Sequence, residues 1–188
     1  MIALGRTRAG MLAEIGATAA LLASASHDDR GEDVLDSPEA HIVLQKHEPQ
    51  ELLPGHSLFL EHRFADLTPR RLERDLLWPL KKAVGNAHKR GNLLDPEKWI
   101  TVELVATPAG LYLAVSDQGA GFDVEATLAR FRAGETYFAH HGSGFRRFTK
   151  ARSVVTFDDG GRTLRLRFLR ERDRVDAAPS GDDQAAAE

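Results

Sequence analysis

The segment Asn86-Ala87-His88-Lys89-Arg90-Gly91-Asn92 decides the interpretation of this chain. It closes a stretch whose apolar residues recur at the spacing of one helix face: Leu72, Leu76, Leu80, Ala83, Val84 and Ala87. Gly91 fits the end of that helix. The amide oxygen of Asn86 is a hard ligand of the kind that Mg²⁺ takes between protein and phosphates. Taken alone, Asn86 fits a surface residue near the helix end better than a metal ligand.

The start of the same helix is predicted at Thr68-Pro69, with Thr68 as the cap and Pro69 in the first helical position. Pro79 lies inside the pattern, so we expect a kink there or a break into two shorter helices. On this helix Lys82 lies four residues before Asn86. The two side chains therefore share one face.

Two glycine-containing segments follow. Asp117-Gln118-Gly119-Ala120-Gly121 comes directly after an apolar strand pattern, and its carboxylate could accept a hydrogen bond from an adenine amino group. The alternative is an ordinary Asp-x-Gly turn. Gly142-Ser143-Gly144 precedes a predicted helix over 145–152, where backbone amides can face a phosphate. Residues 122–141 would then form a lid, or simply an irregular loop.

The remaining pattern predicts strands. Residues 99–106 and 111–115 alternate around Pro108-Ala109-Gly110, and residues 154–157 and 164–168 alternate around Asp158–Gly161. Such short connections favour antiparallel pairs. A first strand is predicted at Leu58, Leu60 and Arg63-Phe64. The expected fold class is α+β, a two-layer sandwich with helices on one face of an antiparallel or mixed sheet.

Composition limits the function classes. A chain of 188 residues can bury one good core, and its formal charge of -3 gives no general reason to expect nucleic acid as a partner. The chain has no cysteine, which excludes disulfides, thiolate metal sites and cysteine nucleophiles. No apolar run reaches the roughly 18 residues of a membrane span. We expect a cytoplasmic protein without membrane contact.

The chain divides by composition into three parts. Residues 1–55 are predicted to be a poorly ordered extension and linker, with the polar stretch 24–54 as the linker. The folded domain is expected over 56–171, and a disordered tail over 172–188. The N-terminal Ala/Leu-rich stretch resembles a signal peptide in part, but Glu14 interrupts it, which favours a loose helix or an over-long start.

The three boxes Asn86–Pro96, Asp117–Asp123 and Gly142–Gly144, in this order, resemble those of the GHKL ATPase superfamily of gyrase, chaperone, histidine kinase and mismatch-repair ATPases. The similarity covers residues 56–169 and is greatest to the small anti-sigma-factor serine kinases. It implies a Bergerat-type ATP-binding fold with ATP and Mg²⁺ as cofactors.

The resemblance also implies roles for individual residues. Asn86 matches the Mg²⁺ ligand and Asp117 the adenine-binding acid. The second box is matched by Gly119 and Gly121, and the phosphate loop by Gly142 and Gly144. The implied partners are a sigma factor or an antagonist of an anti-sigma factor, with homodimerisation left open. The implied reaction is transfer of the γ-phosphate to a serine or threonine of a protein.

Two departures from the family pattern matter. Lys82 stands where the family places the glutamate that acts as general base, and a protonated lysine cannot take that role. Glu73 and Asp75 lie on earlier turns and are too distant to replace it. Arg146 and Arg147 replace apolar residues after the phosphate loop and could contact phosphates or face solvent. The alternative function is therefore a non-catalytic module that sequesters a partner and has a degenerate nucleotide pocket.

Other candidate sites are weaker. The adjacent His140 and His141 cannot easily share one metal, and no carboxylate lies at a ligand spacing. A hydrolase triad is not supported by any Gly-x-Ser-x-Gly elbow. Arginines at 162, 165, 167, 170, 172 and 174 could form a basic stripe, but the nearby acids favour a solvated strand face over a nucleic-acid surface.

Overall fold

The computed structural model describes residues 1–28, 32–135, 143–149 and 152–170. Within these ranges the fold is α+β, with one antiparallel sheet and helices packed on it. The strands are β1 (Ala40–Lys46), β2 (Ile100–Thr107), β3 (Gly110–Ser116), β4 (Val154–Asp158) and β5 (Thr163–Leu169). The α-helices are α1 (Arg8–Glu14), α2 (Ala19–Ala23), α3 (Glu32–Asp36), α4 (Pro49–Arg63), α5 (Pro69–Leu72), α6 (Trp78–Asn86), α7 (Val124–Arg132) and α8 (Ser143–Phe148).

The strands lie in the order β1-β2-β3-β5-β4, and each neighbouring pair is antiparallel. Both predicted hairpins are present. In the first, Leu104 pairs with Leu113 across β2 and β3. In the second, Val155 pairs with Leu166, and Asp159, Gly160 and Gly161 form its turn with positive φ angles. The predicted two-layer α+β sandwich is therefore confirmed.

The main core lies between one face of the sheet and helices α4 to α6. Every second residue of β5 points into it, as the alternation predicted: Leu164, Leu166 and Phe168. The helices contribute Phe59, Leu76, Leu80 and Val84, among others. Packing of these apolar side chains supplies most of the driving force that holds α6 against β3.

The long helix runs from Pro69 to Gly91 and contains two wider π-turns, Glu73–Leu77 and Ala87–Gly91, on either side of α6. Thr68 caps its start as predicted, accepting a hydrogen bond from the Arg71 N–H at 3.4 Å. Pro79 neither breaks the helix nor ends it, because the first π-turn lies just before it. Proline has no N–H to donate to the Asp75 carbonyl. The Ser153 hydroxyl donates to that carbonyl instead, at 3.0 Å.

The predicted strand at Leu58, Leu60 and Arg63-Phe64 is wrong, because these residues belong to or directly follow α4. Leu52, Phe59 and Leu60 are fully buried at helical spacing. A capping box between Glu48 and Glu51 and a proline in the first turn start the helix there. The start of α4 lies within the polar stretch 24–54, which composition assigned to a linker.

Residues 1–28 and 32–55 contain helices and a strand, whereas residues 1–55 were expected to be poorly ordered. Residues 40–46 form the edge strand β1, which pairs along its length with β2. Helices α1 and α2 cover the opposite face of the sheet, where Met11 and Ile15 pack against Tyr112 and Val105. Because these contacts are distant in sequence, the polar composition of the segment did not reveal them.

The second face of the sheet is also held by ion pairs. Arg167 contacts Glu14 of α1 at 2.8 Å, and Arg165 pairs with Asp158. On the side of the main core, Arg170 contacts Asp66 at 2.6 Å and lies over the Phe64 ring. The arginine stripe is therefore neutralised by acids over its described part; positions 172 and 174 lie outside it, as does the predicted tail. In the part of the chain that the structure describes, no helix has the length and apolar character needed to cross a bilayer.

Candidate nucleotide site

A cavity of about 290 Å³ lies between the long helix, the end of β3 and the short helix α8. This volume is close to the lower end of the range for small-molecule pockets. Four of the predicted site residues line it together with Lys82: Asn86, Asp117, Gly121 and Gly144. Gly119 lies next to the cavity without lining it, and Gly142 lies outside the described residues. Segments far apart in sequence thus converge on one site.

One wall of the cavity is apolar. Phe122, Phe145, Phe148 and Phe157 line it, and the rings of Phe145 and Phe157 stack with centroids 5.5 Å apart. Phe122 meets Phe157 edge-on at 5.4 Å. A flat aromatic ring of a ligand could pack here, since offset stacks and edge contacts are the arrangements aromatic rings favour.

Asp117 follows the end of β3 and is half-buried. Its backbone N–H donates to the Arg162 carbonyl at 3.1 Å, and its Oδ1 accepts from the Gly119 N–H at 2.8 Å. Within the described residues Oδ2 accepts no hydrogen bond. Burial raises the pKa of the Asp117 carboxyl, although the Gly119 N–H and the charges of Arg162 and Lys98 act in the opposite direction. A carboxylate oxygen beside an apolar wall can accept a hydrogen bond from the amino group of a flat ligand.

Glycines allow the close approaches around Asp117. A Cβ at Gly91 would overlap the Asp117 carboxylate, and a Cβ at Gly119 would overlap the Gly91 backbone. Gly121 has a φ of +74° and lies against the Gly160 carbonyl. Gly119 and Gly121 therefore allow one part of the protein backbone to approach another, and Gly91 allows the Asp117 side chain to approach the helix end.

Asn92, which the sequence analysis did not assign, fixes the same region. Its side chain is buried, donates to the Trp99 carbonyl at 3.0 Å and accepts from the Gln118 N–H at 2.8 Å. The Gln118 side chain accepts in turn from the Trp99 N–H at 2.7 Å. One amide thus connects the helix end, the start of β2 and the loop that carries Asp117.

Lys82 is half-buried on the cavity wall, at the position where a general base was expected. Burial lowers the pKa of its ammonium group, and the nearby charges of Arg90, Lys89 and Arg147 lower it further. Among the described lining residues Asp117 is the one carboxylate.

Neither of the distant acids approaches the cavity. Glu73 contacts Lys81 at 3.4 Å, and the buried carboxylate of Asp75 binds Arg74 through two contacts of 2.7 Å. No described lining residue therefore supplies the missing base.

The donor set around Asn86 does not match Mg²⁺ well. Three cationic side chains border the same part of the surface: Lys82, Lys89 and Arg90. Mg²⁺ in proteins is usually bound by one or two carboxylates together with phosphates and waters. The described residues contain no cluster of three or more His, Cys, Asp or Glu side chains that could hold a metal. The assignment of Asn86 as a magnesium ligand stays a prediction, with unfavourable surroundings.

Gly144 lies in the first turn of α8 and faces Lys82. A Cβ there would lie 3.7 Å from Lys82 Cε and 3.9 Å from Phe148 Cε2, which is ordinary contact. Arg146 and Arg147 are exposed, and the Arg147 guanidinium lies 5.1 Å from the ring centroid of Trp78.

The predicted lid over 122–141 is helical in its described part. Asp123 caps α7 by accepting from the Ala126 N–H at 2.9 Å, and Phe131 of α7 packs near Phe145 at 5.7 Å. Residues 136–141, which include His140 and His141, lie outside the described residues. Helix α7 of this segment thus packs beside the cavity, where Phe131 meets the lining residue Phe145.

No protein-family model matches this chain, and no curated protein is significantly similar to it. The functional interpretation therefore depends on the chemistry and geometry of the cavity.

Proposed function

We propose that this chain is an ATP-binding regulatory protein of the GHKL type, similar to the anti-sigma-factor serine/threonine kinases, that holds nucleotide without efficient phosphoryl transfer. The observation that carries the proposal is the convergence of Asn86, Asp117, Gly121 and Gly144 on one cavity. These residues come from the helix, the loop after β3 and the helix α8.

The chemistry of the cavity supports a nucleotide with an adenine base. Asp117 offers an unshared carboxylate oxygen beside the apolar wall of phenylalanines. Adenine presents an amino group where guanine presents a carbonyl oxygen. A carboxylate that faces this position of the base therefore accepts from the amino group of adenine and is left opposite an oxygen in guanine, which gives discrimination of the kind that unpaired buried polar groups produce.

Lys82 favours binding over catalysis. A protonated lysine cannot remove a proton from a serine hydroxyl, but it can attract a phosphate as a point charge. The second candidate, a module that sequesters a protein partner with or without nucleotide, is favoured by this same residue. In both cases the partner is proposed to be a sigma factor or an anti-sigma-factor antagonist.

Calorimetric titration with ATP and GTP tests the proposal. We expect the native chain to bind ATP more tightly than GTP. The variant Asp117→Asn should lose about 1.5–3 kcal/mol of ATP binding, the range for hydrogen bonds to a charged group. Asp123→Asn is the matched control, because Asn caps a helix as well as Asp does and residue 123 does not line the cavity.

Equal affinities for ATP and GTP, or an unchanged ATP affinity in Asp117→Asn, would remove Asp117 from base recognition. If the native chain binds no nucleotide but captures a sigma factor or its antagonist, the sequestering module is the correct function.

A further inference from the structure

We infer that the mouth of the cavity binds the polyphosphate of a nucleotide without a divalent cation, with Lys82, Lys89 and Arg90 supplying the positive charge. This inference rests on the proposed function and specifies the chemical form of its ligand. The ligand is the metal-free nucleoside triphosphate, a polyanion, rather than its magnesium complex.

The placement of the cations is the first observation. Lys82 lies one α-helical turn before Asn86 on the same helix, and Lys89 and Arg90 follow in the π-turn Ala87–Gly91. These residues also line a groove of about 400 Å³ that is continuous in its lining with the cavity through Lys82, Asn86 and Arg90. A ligand whose base lies near Asp117 would therefore extend its phosphates along this groove.

The second observation is that no acid among the described residues neutralises these charges. Other cations near the site form ion pairs: Lys81 with Glu73, and Arg162 with Asp159. Among the described residues no ion pair involves Lys82, Lys89, Arg90 or the nearby Arg147. The pKa of Lys82 is lowered by burial and by Arg90, Lys89 and Arg147, so these cations repel one another when no anion is present. Binding of a polyanion relieves that repulsion.

The third observation is the absence of a competing carboxylate in the described lining of the groove, which consists of Lys81, Lys82, Gly85, Asn86, Lys89 and Arg90. A divalent cation entering here would be repelled by these side chains and would find one amide oxygen from Asn86. The cations therefore occupy the electrostatic role that a metal ion takes at many phosphate sites.

The experiment is ATP titration by calorimetry in excess EDTA and in excess Mg²⁺, using the native chain, Lys82→Glu and Arg70→Glu. The native chain should bind ATP in EDTA at least as tightly as in Mg²⁺, and ATP more tightly than ADP or AMP. In EDTA, Lys82→Glu should bind at least about tenfold more weakly, since it loses a charged contact and gains a repulsive one. Added Mg²⁺ should restore part of this loss.

Arg70→Glu is the matched control, because it makes the same change in charge at an exposed position of α5 that does not line the cavity or groove. Its affinity for ATP should stay within about twofold of the native value in both buffers, since exposed distant charges are screened. Lys82→Gln, which only removes the charge, serves where the Glu variant does not give a native circular dichroism spectrum.

Two results would overturn the inference in different ways. If the native chain binds ATP in Mg²⁺ but not in EDTA, the metal-free ligand is excluded and the proposed function survives. Absence of nucleotide binding in both buffers removes the inference and the proposed function together.

Discussion

The carboxylate of Asp117 lies directly over the Cα of Gly91, at the place that any side chain at residue 91 would occupy. The end of the long helix therefore positions the acid that is proposed to read the base. This relationship links two segments that the sequence presents as separate boxes.

Gly91→Ala should displace the Asp117 carboxylate and weaken ATP binding while the fold is kept. We expect a loss of about 1.5–3 kcal/mol, the range for hydrogen bonds to a charged group. Calorimetry gives the affinity and circular dichroism reports the fold. Gly10→Ala is the control, since it makes the same change in α1 at a residue that lines neither the cavity nor the groove, and its Cβ would approach only the Thr7 hydroxyl, at 3.2 Å. Equal ATP affinities of both variants would contradict this role of Gly91.

Asp117→Asn should stabilise the ligand-free protein at neutral pH. The pKa of Asp117 is raised in the fold, chiefly by burial, so the folded state binds more protons than the unfolded state above the ordinary carboxyl range. The free energy of unfolding of the native chain therefore falls as pH rises through this window. The introduced amide does not ionise, so the stability of the variant should not fall in this window. The difference in stability between the two proteins should disappear at acid pH, where the Asp117 carboxyl is also neutral.

Urea unfolding at pH 3 and pH 7 measures the difference between the two proteins. A variant that is less stable than the native chain at pH 7 would show that the Gly119 hydrogen bond to the carboxylate outweighs the cost of burying the charge.

Gly144→Val should block the phosphate end of the cavity without unfolding the chain. A Cβ at residue 144 makes only ordinary contacts with Lys82 and Phe148, so the fold accepts a side chain there. The added methyl groups then project from a cavity-lining position. We expect strongly reduced ATP binding with an unchanged circular dichroism spectrum; retained binding would place the phosphates elsewhere.

Lys82→Glu should separate binding from turnover. The native chain is expected to bind ATP with no measurable γ-phosphate transfer. A glutamate at this position would supply a general base, whose contribution is typically about 10²–10⁴-fold in rate. Single-turnover release or transfer of labelled γ-phosphate, with an anti-sigma-factor antagonist present, measures both proteins. Brisk turnover by the native chain would show that the reaction needs no base at residue 82.

Asp75→Asn should destabilise the fold by about 1.5–3 kcal/mol at neutral pH, the range for hydrogen bonds to charged groups. Burial alone would raise the pKa of Asp75, but the hydrogen bonds from Arg74 and from the Arg152 N–H, with the charge of Arg71, lower it overall. Its stabilising contribution is therefore present at neutral pH and is lost as pH falls through the lowered pKa.

Denaturant unfolding at several pH values tests this dependence. Asp66→Asn is the control, because Asp66 is exposed in its contact with Arg170 and such surface pairs contribute at most about 1 kcal/mol. Equal losses in the two variants would contradict a special role for the Asp75 pair.

The hairpins and the long helix could be predicted because their signals are local. Alternating apolar residues around Pro108-Ala109-Gly110 and around Asp158–Gly161 specify antiparallel pairs, and Thr68-Pro69 specifies a helix start. Strand β1 and the packing of helix α1 could not be predicted in this way. Their few apolar residues become significant only through contacts with β2 and β3, which depend on the tertiary fold.

In the candidate site, too, the residues with a local sequence pattern were predicted and those defined by tertiary contacts were not. Asn86, Asp117, Gly121 and Gly144 were found from glycine and polar spacing, and they meet at one cavity. Asn92 and Gly91 were missed as site residues because an amide or a glycine gains its role from what packs against it. The cationic groove was missed because Lys89 and Arg90 resemble the ordinary basic end of a helix.

Strand β1 also protects its neighbour. Without residues 40–46, β2 would become the edge of the sheet and expose its backbone N–H and C=O groups. Loss of α1 would at the same time uncover Val105 and Tyr112 on the adjoining face. A fragment beginning at residue 56, the boundary suggested by composition, would thus offer an open β edge beside an apolar surface. Such an edge is a template for other chains, so this fragment would aggregate even though it contains every residue that lines the cavity.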